Sequence, residues 1–370
     1  MFTLLLTPFP VKIVCNIHKY QRNRLLSAVV KGSQIMKKQY CANQFPMNTH
    51  ANTCACSSAD FPLFKDILEA WQNANRIQLK PSSVSRYQNL IDTHILPELG
   101  LLPVSALDRT TLNQFLVSKQ VSGRLDGKGG LSATYIRSLM IVINSALRYG
   151  EAEGLCSIMR CTVKNPPLAP KEPQVLNAAD QSRLEQVLLQ NMTSEKLLIF
   201  ITLYTGLRIG EACALMWEDI DLVAETVSVR QTVSRVWYND GEKKYSELIV
   251  GSPKTRSSYR KIPICSKLLS VIKQFPGSKT DGYIVKNSNG SFISPRTFEY
   301  RYKRIMKAAG LEPVNYHALR HSFATRCIER GMDVKTLSEI LGHTDASVTL
   351  SIYVHSSMEL KRRQIEKLVS

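Results

Sequence analysis

The chain has 370 residues, 44% of them hydrophobic, which is enough for two or three domains that each bury a core of their own. A formal net charge of +18 favours a polyanionic partner, with nucleic acid as the first candidate. The apolar start MFTLLLTPFP is short and is broken by Pro8 and Pro10, so neither a signal peptide nor a membrane span is predicted. We therefore expect a globular cytoplasmic protein that does not contact a membrane.

The nine cysteines are an odd number spread along the chain and do not indicate a disulfide framework in a protein of this length. Cys54 and Cys56, with His50 and Cys41 nearby, come closest to a metal site. Zinc sites usually separate paired cysteines by two to four residues, so the pattern does not predict zinc.

Residues 1–58 are interpreted as a basic N-terminal arm. They carry seven Lys or Arg residues and no acidic residue, and they lack a sustained helical or strand period. Translation could instead begin at Met36 or Met47, which would leave part of this stretch without a function. Both interpretations stay open from the sequence.

Residues 59–164 are predicted to form a helical domain. The run FPLFKDILEAWQ has apolar residues at helical spacing, and KPSSVSRYQNLIDTHILPEL offers serine caps for a second helix. Two more helices are predicted in SALDRTTLNQFLVSKQ, with Asp108 as the cap, and in LSATYIRSLMIVINSALRYGEAEGL. A surface of this domain could contact DNA or could simply be solvated.

Residues 165–176, NPPLAPKEPQVL, hold four prolines and predict an extended linker. Residues 177–354 then mix helices with a β-rich insert, in which ETVSVRQTVSRVWY and SELIVGSPKTRSSYRKIPI alternate as strands around NDGEKK. The pattern predicts an α+β second domain, with helices resuming from Leu268.

Basic side chains recur at unusual places in this second domain. Arg208 follows a break at Gly206 in an apolar helix, although an ion pair with Glu211 would also explain it. Lys254 lies between two strand-like runs, where its ammonium could reach into a cleft or remain solvated. His317 and Arg320 are three residues apart and are expected on one helical face. Four such cations repel one another unless an anion lies between them, and phosphate is the natural anion.

In this order, these residues resemble the signature of the tyrosine recombinase or phage integrase family. That signature consists of an arginine in a TGLRxxE-like helix, a lysine in a β-turn, a His-x-x-Arg helix, an LGH turn and a tyrosine about ten residues later. The matches here are Arg208 in TGLRIGE, Lys254 in SPKTRSS, His317 and Arg320 in HALRH, His343 in LGH and Tyr353 in SIYVH. The resemblance extends from about Phe61 to Val354.

The resemblance implies a SAM-like helical DNA-binding domain followed by a mainly helical catalytic domain with a small antiparallel sheet. It also implies site-specific recombination through a 3′-phosphotyrosyl intermediate, since a phenol ester conserves the energy of the phosphate bond. In the roles that the resemblance implies, Tyr353 is the nucleophile, Arg208 and Arg320 stabilise the charge of the phosphate, and Lys254 gives a proton to the leaving oxygen. His317 assists proton transfer, His343 donates a hydrogen bond to the phosphate, and Glu211 orients Arg208.

Neither a metal nor a nucleotide cofactor is implied, because no carboxylate pair stands out and no Gly-rich phosphate loop ends in Gly-Lys-Ser or Gly-Lys-Thr. The expected partners are double-stranded DNA, three further copies of the chain in a tetramer on that DNA, and a directionality factor or DNA-bending protein. The tail 355–370 is predicted as a helix with an apolar stripe of Met358, Leu360, Ile365 and Leu368. This stripe could dock on a neighbouring protomer or fold back on its own domain.

Three alternatives remain at this point. A type IB topoisomerase-like enzyme would use similar chemistry, and a DNA-binding protein could keep the fold without catalysis. Within the family, the basic arm favours the integrase of a mobile element or phage over a recombinase that resolves chromosome dimers. However, residues 1–58 lack the strand pattern of an arm-binding β-sheet domain, so binding of arm sites is not predicted from them.

Overall fold

The computed structural model describes residues 62–156, 174–239, 243–253, 256–276 and 281–353, with positions 362, 365 and 366. The predicted arm 1–58, most of the predicted linker, Lys254, and the tail apart from three positions lie outside the described residues. The described residues all belong to one compact unit, Phe61–Ser370.

Four longer helices form the first part of this unit: α1 (Phe64–Asn75), α2 (Pro81–Leu90), α3 (Arg109–Ser122) and α4 (Ala133–Ala152). After α2 the chain stays helical through a wide turn at Ile91–Ile95 and a short piece at Leu96–Leu99. Asp108 caps α3 by accepting from the Thr111 amide, as predicted. The apolar stripes of the helices pack into one core, which includes Phe64, Ile67, Leu68, Trp71, Leu112, Leu139 and Ile143.

The second part begins with α5 (Ala178–Leu189), α6 (Ser194–Thr205) and the short α7 (Ile209–Cys213). Helix α6 is apolar on nearly every side, and the residues Leu197–Leu203 are all buried. A helix with this pattern lies in the centre of a core rather than at its surface. The predicted break at Gly206 is confirmed, since Gly206 ends α6 in the left-handed conformation with φ +66°.

Two antiparallel sheets follow. One has the strand order β1 (Ile220–Asp221), β2 (Thr226–Val229) and β5 (Arg260–Pro263), and the buried residues Val227 and Ile262 lie opposite each other in it. The other is the hairpin β3 (Thr232–Asn239) with β4 (Lys244–Gly251). The predicted strands around NDGEKK are therefore confirmed where the structure describes them.

Helices complete the second part: α8 (Ser266–Gln274), α9 (Pro295–Ala308), α10 (His317–Glu329), α11 (Val334–Leu341) and α12 (Ala346–Tyr353). Their buried residues join the core around α6, except for a small separate cluster of Ala324, Ile328, Leu337 and Leu341 between α10 and α11. The fold is thus mainly helical with small antiparallel sheets, as predicted. Within the described part of the chain, no helix combines the length and apolarity required to span a membrane.

Candidate active site

The turn between α6 and α7 places Arg208 at the edge of the core. A Cβ at Gly206 would lie 2.7 Å from Phe323 Cδ1 and 2.9 Å from Leu341 Cδ2, and the φ of +66° is itself unfavourable for other residues. Glycine is therefore required at this position by both the backbone and the packing. The chain can then restart as α7 with Arg208 as its N-terminal cap residue.

Arg208 is held by α7 and by the end of α11. Its Nη1 donates to Glu211 Oε1 at 2.8 Å, and its Nη2 donates to the Gly342 carbonyl at 3.2 Å. The side chain keeps 36% of its surface exposed. The expected contact with Glu211 is therefore present, and the guanidinium remains accessible from solvent.

Glu211 is the buried anion of this region, with 4% of its surface exposed. Besides Arg208, it binds Arg260 through both carboxylate oxygens, at 2.9 Å from Nη2 to Oε2 and 3.2 Å from Nη1 to Oε1. Burial by itself raises the pKa of Glu211, but the hydrogen bonds and charge of Arg260, with the charge of Arg208, outweigh it and lower the pKa to about 2. Glu211 is ionised at any physiological pH.

Arg320 lies deeper than Arg208, with only 1% of its surface exposed. Its Nη1 donates to the Gly206 carbonyl and its Nη2 to the Leu341 carbonyl, both at 2.8 Å. Arg320 thus joins the turn after α6 to the end of α11. Its planar fork is suited to hold two carbonyls at once.

Three consecutive carbonyls at the end of α11 accept from three different arginines. Ile340 accepts from Arg260 Nε at 2.5 Å, Leu341 from Arg320 and Gly342 from Arg208. The last carbonyls of a helix lack intrahelical partners and carry partial negative charge, so they suit cationic donors. Gly342 ends the helix at φ +65° and lets the chain turn directly to His343. The end of α11 therefore gathers the arginines at one place.

His343 lies between Arg320 and α12. Its Nε2 is 2.8 Å from Arg320 Nη2, and its Nδ1 is 2.8 Å from Thr349 Oγ1. Because a guanidinium can only donate, Nε2 is the acceptor and the ring proton is on Nδ1, where it is donated to Thr349. Burial and the charges of Arg320, Arg208 and Arg260 lower the pKa of His343 to about 4, which keeps the ring neutral at pH 7. Donation from Nε2 to a phosphate, the role expected from the sequence, would require a change of tautomer and release of Arg320.

His317 begins α10 and is exposed, whereas Arg320 on the same helix is buried. The ring of His317 packs edge-on against that of His321, with 4.5 Å between centroids. Partial desolvation of the ring, with the positive charge of His321, Arg320 and Arg208, lowers the pKa of His317 to about 4. His317 is therefore also neutral at pH 7.

The other two predicted residues are described in part or not at all. Tyr353 is the last residue of α12, four residues after Thr349, and only its backbone is described. Lys254 lies outside the described residues, but Pro253, which precedes it, is described. Lys80 is the N-terminal cap residue of α2, and its Nζ donates to the Ser252 carbonyl at 3.1 Å and to the Pro253 carbonyl at 2.6 Å. The helical part of the chain thus reaches the hairpin beside the arginines.

A cavity of about 670 Å³ opens between these elements. It gives Arg208, Glu211 and His343 a common surface that an anionic group can enter. The remaining lining comes from the start of α2, the β3–β4 hairpin and the residues after it, the turn before β5 and the turn after α11. It includes Lys80, Ser82, Thr232, Ser234, Ser252, Pro253, Ser258, Gly342 and Thr344.

Two residues of this site were not predicted from the sequence. Arg260 stands in a run with several other basic residues, but Ile262, two positions later on the strand, is buried and points to the same side. This alternation was a signal that Arg260 faces inward. Thr349 is fully buried on a helix whose pattern carries no comparable signal.

Comparison with known proteins gives consistent matches. The phage integrase family matches residues 171–359, and the N-terminal SAM-like domain of phage integrases matches residues 63–119. A tyrosine recombinase XerC-like protein of Caldanaerobacter subterraneus subsp. tengcongensis is 26% identical over 329 residues, 82% of either chain. The ICEBs1 integrase of Bacillus subtilis is 23% identical over 317 residues, also 82% of either chain. The solved structure of the Tn1549 transposon integrase with transposon right end DNA has a TM-score of 0.64 at 21% identity, covering 82% of this chain and 99% of that one.

Proposed function

The chain belongs to the phage integrase family of tyrosine recombinases, which cleave and rejoin DNA strands in site-specific recombination, and we propose which of its residues perform that reaction. The observation that carries the proposal is the meeting of Arg208, Arg320 and His343 at the end of α11, beside an open cavity. A cationic cleft of this kind fits a phosphodiester.

In the proposed reaction, the phenol oxygen of Tyr353 attacks the scissile phosphorus and the bond from phosphorus to the 5′-oxygen breaks. The product is a 3′-phosphotyrosyl ester and a free 5′-hydroxyl, whose proton comes from Lys254. His317, neutral at pH 7, assists removal of the phenol proton. Attack by a 5′-hydroxyl from a second duplex reverses these steps and rejoins the strand without any other energy source.

In this proposal, arginine side chains stabilise the negative charge that the phosphate gains in the transition state. The guanidinium groups of Arg208, Arg260 and Arg320 outnumber the carboxylate of Glu211 by two positive charges. Negative charge grows on the non-bridging phosphate oxygens as the nucleophile attacks, and preorganised donors stabilise it more strongly than the ground state. Arg208 and Arg320 are the proposed phosphate ligands, and Glu211 orients Arg208.

Covalent trapping tests this assignment. A nicked duplex that loses its short 5′-hydroxyl fragment on cleavage cannot be rejoined, so the protein should accumulate as a DNA adduct. Tyr353→Phe should form no adduct and should bind the same duplex with nearly unchanged affinity, because the phenol oxygen is needed for chemistry alone. An equal loss of binding, or an adduct with the Phe variant, would rule out Tyr353 as nucleophile. Absence of an adduct with the unaltered protein would favour a non-catalytic DNA-binding protein.

The proposed partner is double-stranded DNA, contacted by the helical domain 59–164 on one side and the catalytic domain 177–354 on the other, with residues 165–176 as the linker. Exchange between two duplexes needs four cleavages, so four protomers should assemble on the DNA with cyclic or near-cyclic symmetry. We place the protein in the cytoplasm, associated with the nucleoid, where a directionality factor or DNA-bending protein could act with it.

We further propose integration and excision of a mobile element as its biological role, with resolution of chromosome dimers as the second candidate. The ICEBs1 integrase among its relatives and the basic composition of residues 1–58 support the first, and the XerC-like relative supports the second. Plasmids that carry the DNA flanking the coding region should recombine with a chromosomal target in the presence of the protein. Recombination confined to repeated copies of one chromosomal site would favour dimer resolution instead.

A further inference from the structure

Arg260 lies outside the six-residue signature, yet it contacts every element that holds Arg208. Its side chain is 5% exposed, and its guanidinium binds Glu211 on α7, the Ile340 carbonyl on α11 and the Ser258 carbonyl before β5. A Cβ at Gly342 would lie 3.1 Å from Arg260 Cδ, so Arg260 also packs against the turn that precedes His343. Arg260 is not among the described residues that line the cavity with Arg208, Glu211 and His343.

We propose that Arg260 is a positioning residue for strand cleavage, which neutralises Glu211 and thereby leaves the Arg208 guanidinium available to the scissile phosphate. The proposal rests on the function proposed above for Arg208. It concerns charge rather than contact with DNA, since Arg260 acts through Glu211.

The division of contacts on the Glu211 carboxylate supports this inference. Arg260 binds both oxygens, whereas Arg208 places a single Nη on Oε1. The contacts of Arg208 with Glu211 and Gly342 engage two of the five N–H donors of a guanidinium. The more exposed arginine of the pair is thus the one that is bound less completely, at 36% against 5% exposure.

Loss of Arg260 would change this division. Glu211 is 4% exposed and would keep its bonds from Arg208, from Nη1 to Oε1 at 2.8 Å and from the backbone amide to Oε2 at 3.0 Å. Loss of one cation from a buried carboxylate is strongly unfavourable. Arg208 is the neighbouring cation already bonded to it, so its guanidinium would turn to pair with both carboxylate oxygens. The positive charge of Arg208 would then neutralise Glu211 and would stabilise the transition state less.

The test compares two substrates under single-turnover conditions at saturating DNA. One carries the ordinary phosphodiester at the cleavage site and the other a methylphosphonate, in which a methyl group replaces one non-bridging oxygen, so that the linkage is neutral. Release of the 5′-hydroxyl fragment is measured for the unaltered protein, Arg260→Met, Arg260→Lys and Arg208→Ala. Arg301→Met is the matched control, because Arg301 pairs with Glu195 at 2.6 Å, near the opposite end of α6 from Gly206 and roughly 16 Å along that helix.

On the phosphodiester we expect Arg260→Met to be slowed about tenfold to hundredfold, less than the roughly 100- to 1,000-fold typical of a lost transition-state donor and expected for Arg208→Ala. On the methylphosphonate, where less charge must be stabilised, the defects of both variants should shrink by at least about tenfold. Arg260→Lys keeps the positive charge and should stay within a few-fold of the unaltered protein on either substrate. Arg301→Met should be unaffected.

Equal slowing of Arg260→Met on both substrates would mean that Arg260 only maintains the fold and would overturn the inference. So would an Arg260→Lys rate as low as that of Arg260→Met. If Arg260→Met does not fold, the Arg260→Lys ratio still decides, since a large charge-independent defect contradicts the proposal. Failure of the unaltered protein to cleave either substrate would count against the proposed function itself.

Discussion

The hydrogen bond between His343 and Thr349 offers a sharp test of the site, because Thr349 lies one helical turn before Tyr353. Thr349→Val keeps the shape of the side chain and removes the oxygen that accepts from His343 Nδ1 at 2.8 Å. Thr349 is fully buried, so no solvent replaces that acceptor. The ring cannot simply move its proton to Nε2, since Arg320 Nη2 donates to that atom.

A buried donor left without a partner costs about 1–3 kcal/mol. If this cost falls on the arrangement that reacts, strand cleavage should slow about fivefold to 150-fold, at roughly 1.36 kcal/mol per factor of ten. Adduct formation on the nicked duplex, measured in a single turnover, gives this rate directly. Thr349→Ser keeps the hydroxyl and should cleave at nearly the normal rate. A Val variant within twofold of the unaltered protein, or a Ser variant as slow as Val, would refute the link through His343.

Four further outcomes are expected. Arg208→Lys and Arg320→Lys should each cleave at least about 100-fold more slowly, because an ammonium cannot reproduce a fork that binds two acceptors, and near-normal adduct formation in both would remove them from the phosphate site. The pKa values of His317 and His343 are about 4 in the folded protein against an ordinary 6.5, so on acidification these histidines are protonated in the unfolded chain first. Thermal stability should therefore be constant above pH 6.5 and fall between pH 6.5 and 4, with a smaller fall in His343→Gln. A melting temperature that does not change over this pH range would contradict the prediction. Cleavage should persist in excess EDTA without ATP, whereas a strict metal requirement would indicate nuclease-type chemistry. Deleting the residues after His355 should spare DNA binding but abolish tetramer formation seen by light scattering, if the tail docks on a neighbour; normal recombination by the truncated protein would exclude that docking.

Much of the fold followed from local patterns in the sequence. The Gly206 break, the Asp108 cap and the strands around NDGEKK were all predicted, because each depends on neighbouring residues and backbone geometry. Arg208, Arg320 and His343, which meet at the end of α11, were predicted from their resemblance to a family signature and not from spacing alone, whereas the roles of Lys254 and Tyr353 stay predictions.

The electrostatic arrangement could not be predicted in the same way. Glu211 was expected beside Arg208, three residues away, but its stronger partner Arg260 is 49 residues distant. The tautomer of His343 depends on Arg320 and Thr349, which only the folded chain brings to the two ring nitrogens. His317 and Arg320 lie three residues apart on α10, as expected, but the exposure of His317 and the burial of Arg320 do not follow from that spacing. Long-range pairing and burial decided each of these points.

The gathering of three arginines at one helix end has a consequence for heat sensitivity. Helix α11 has eight residues, too few to be stable in isolation, and its buried apolar residues Leu337 and Leu341 pack in a small cluster with Ala324 and Ile328 of α10. A local opening of α11 would take one carbonyl partner from each of Arg208, Arg260 and Arg320 at the same time, and would so weaken the neutralisation of three neighbouring positive charges. Amide hydrogen exchange in α11 should therefore be faster than in α6, and catalysis should disappear on warming before the large core melts.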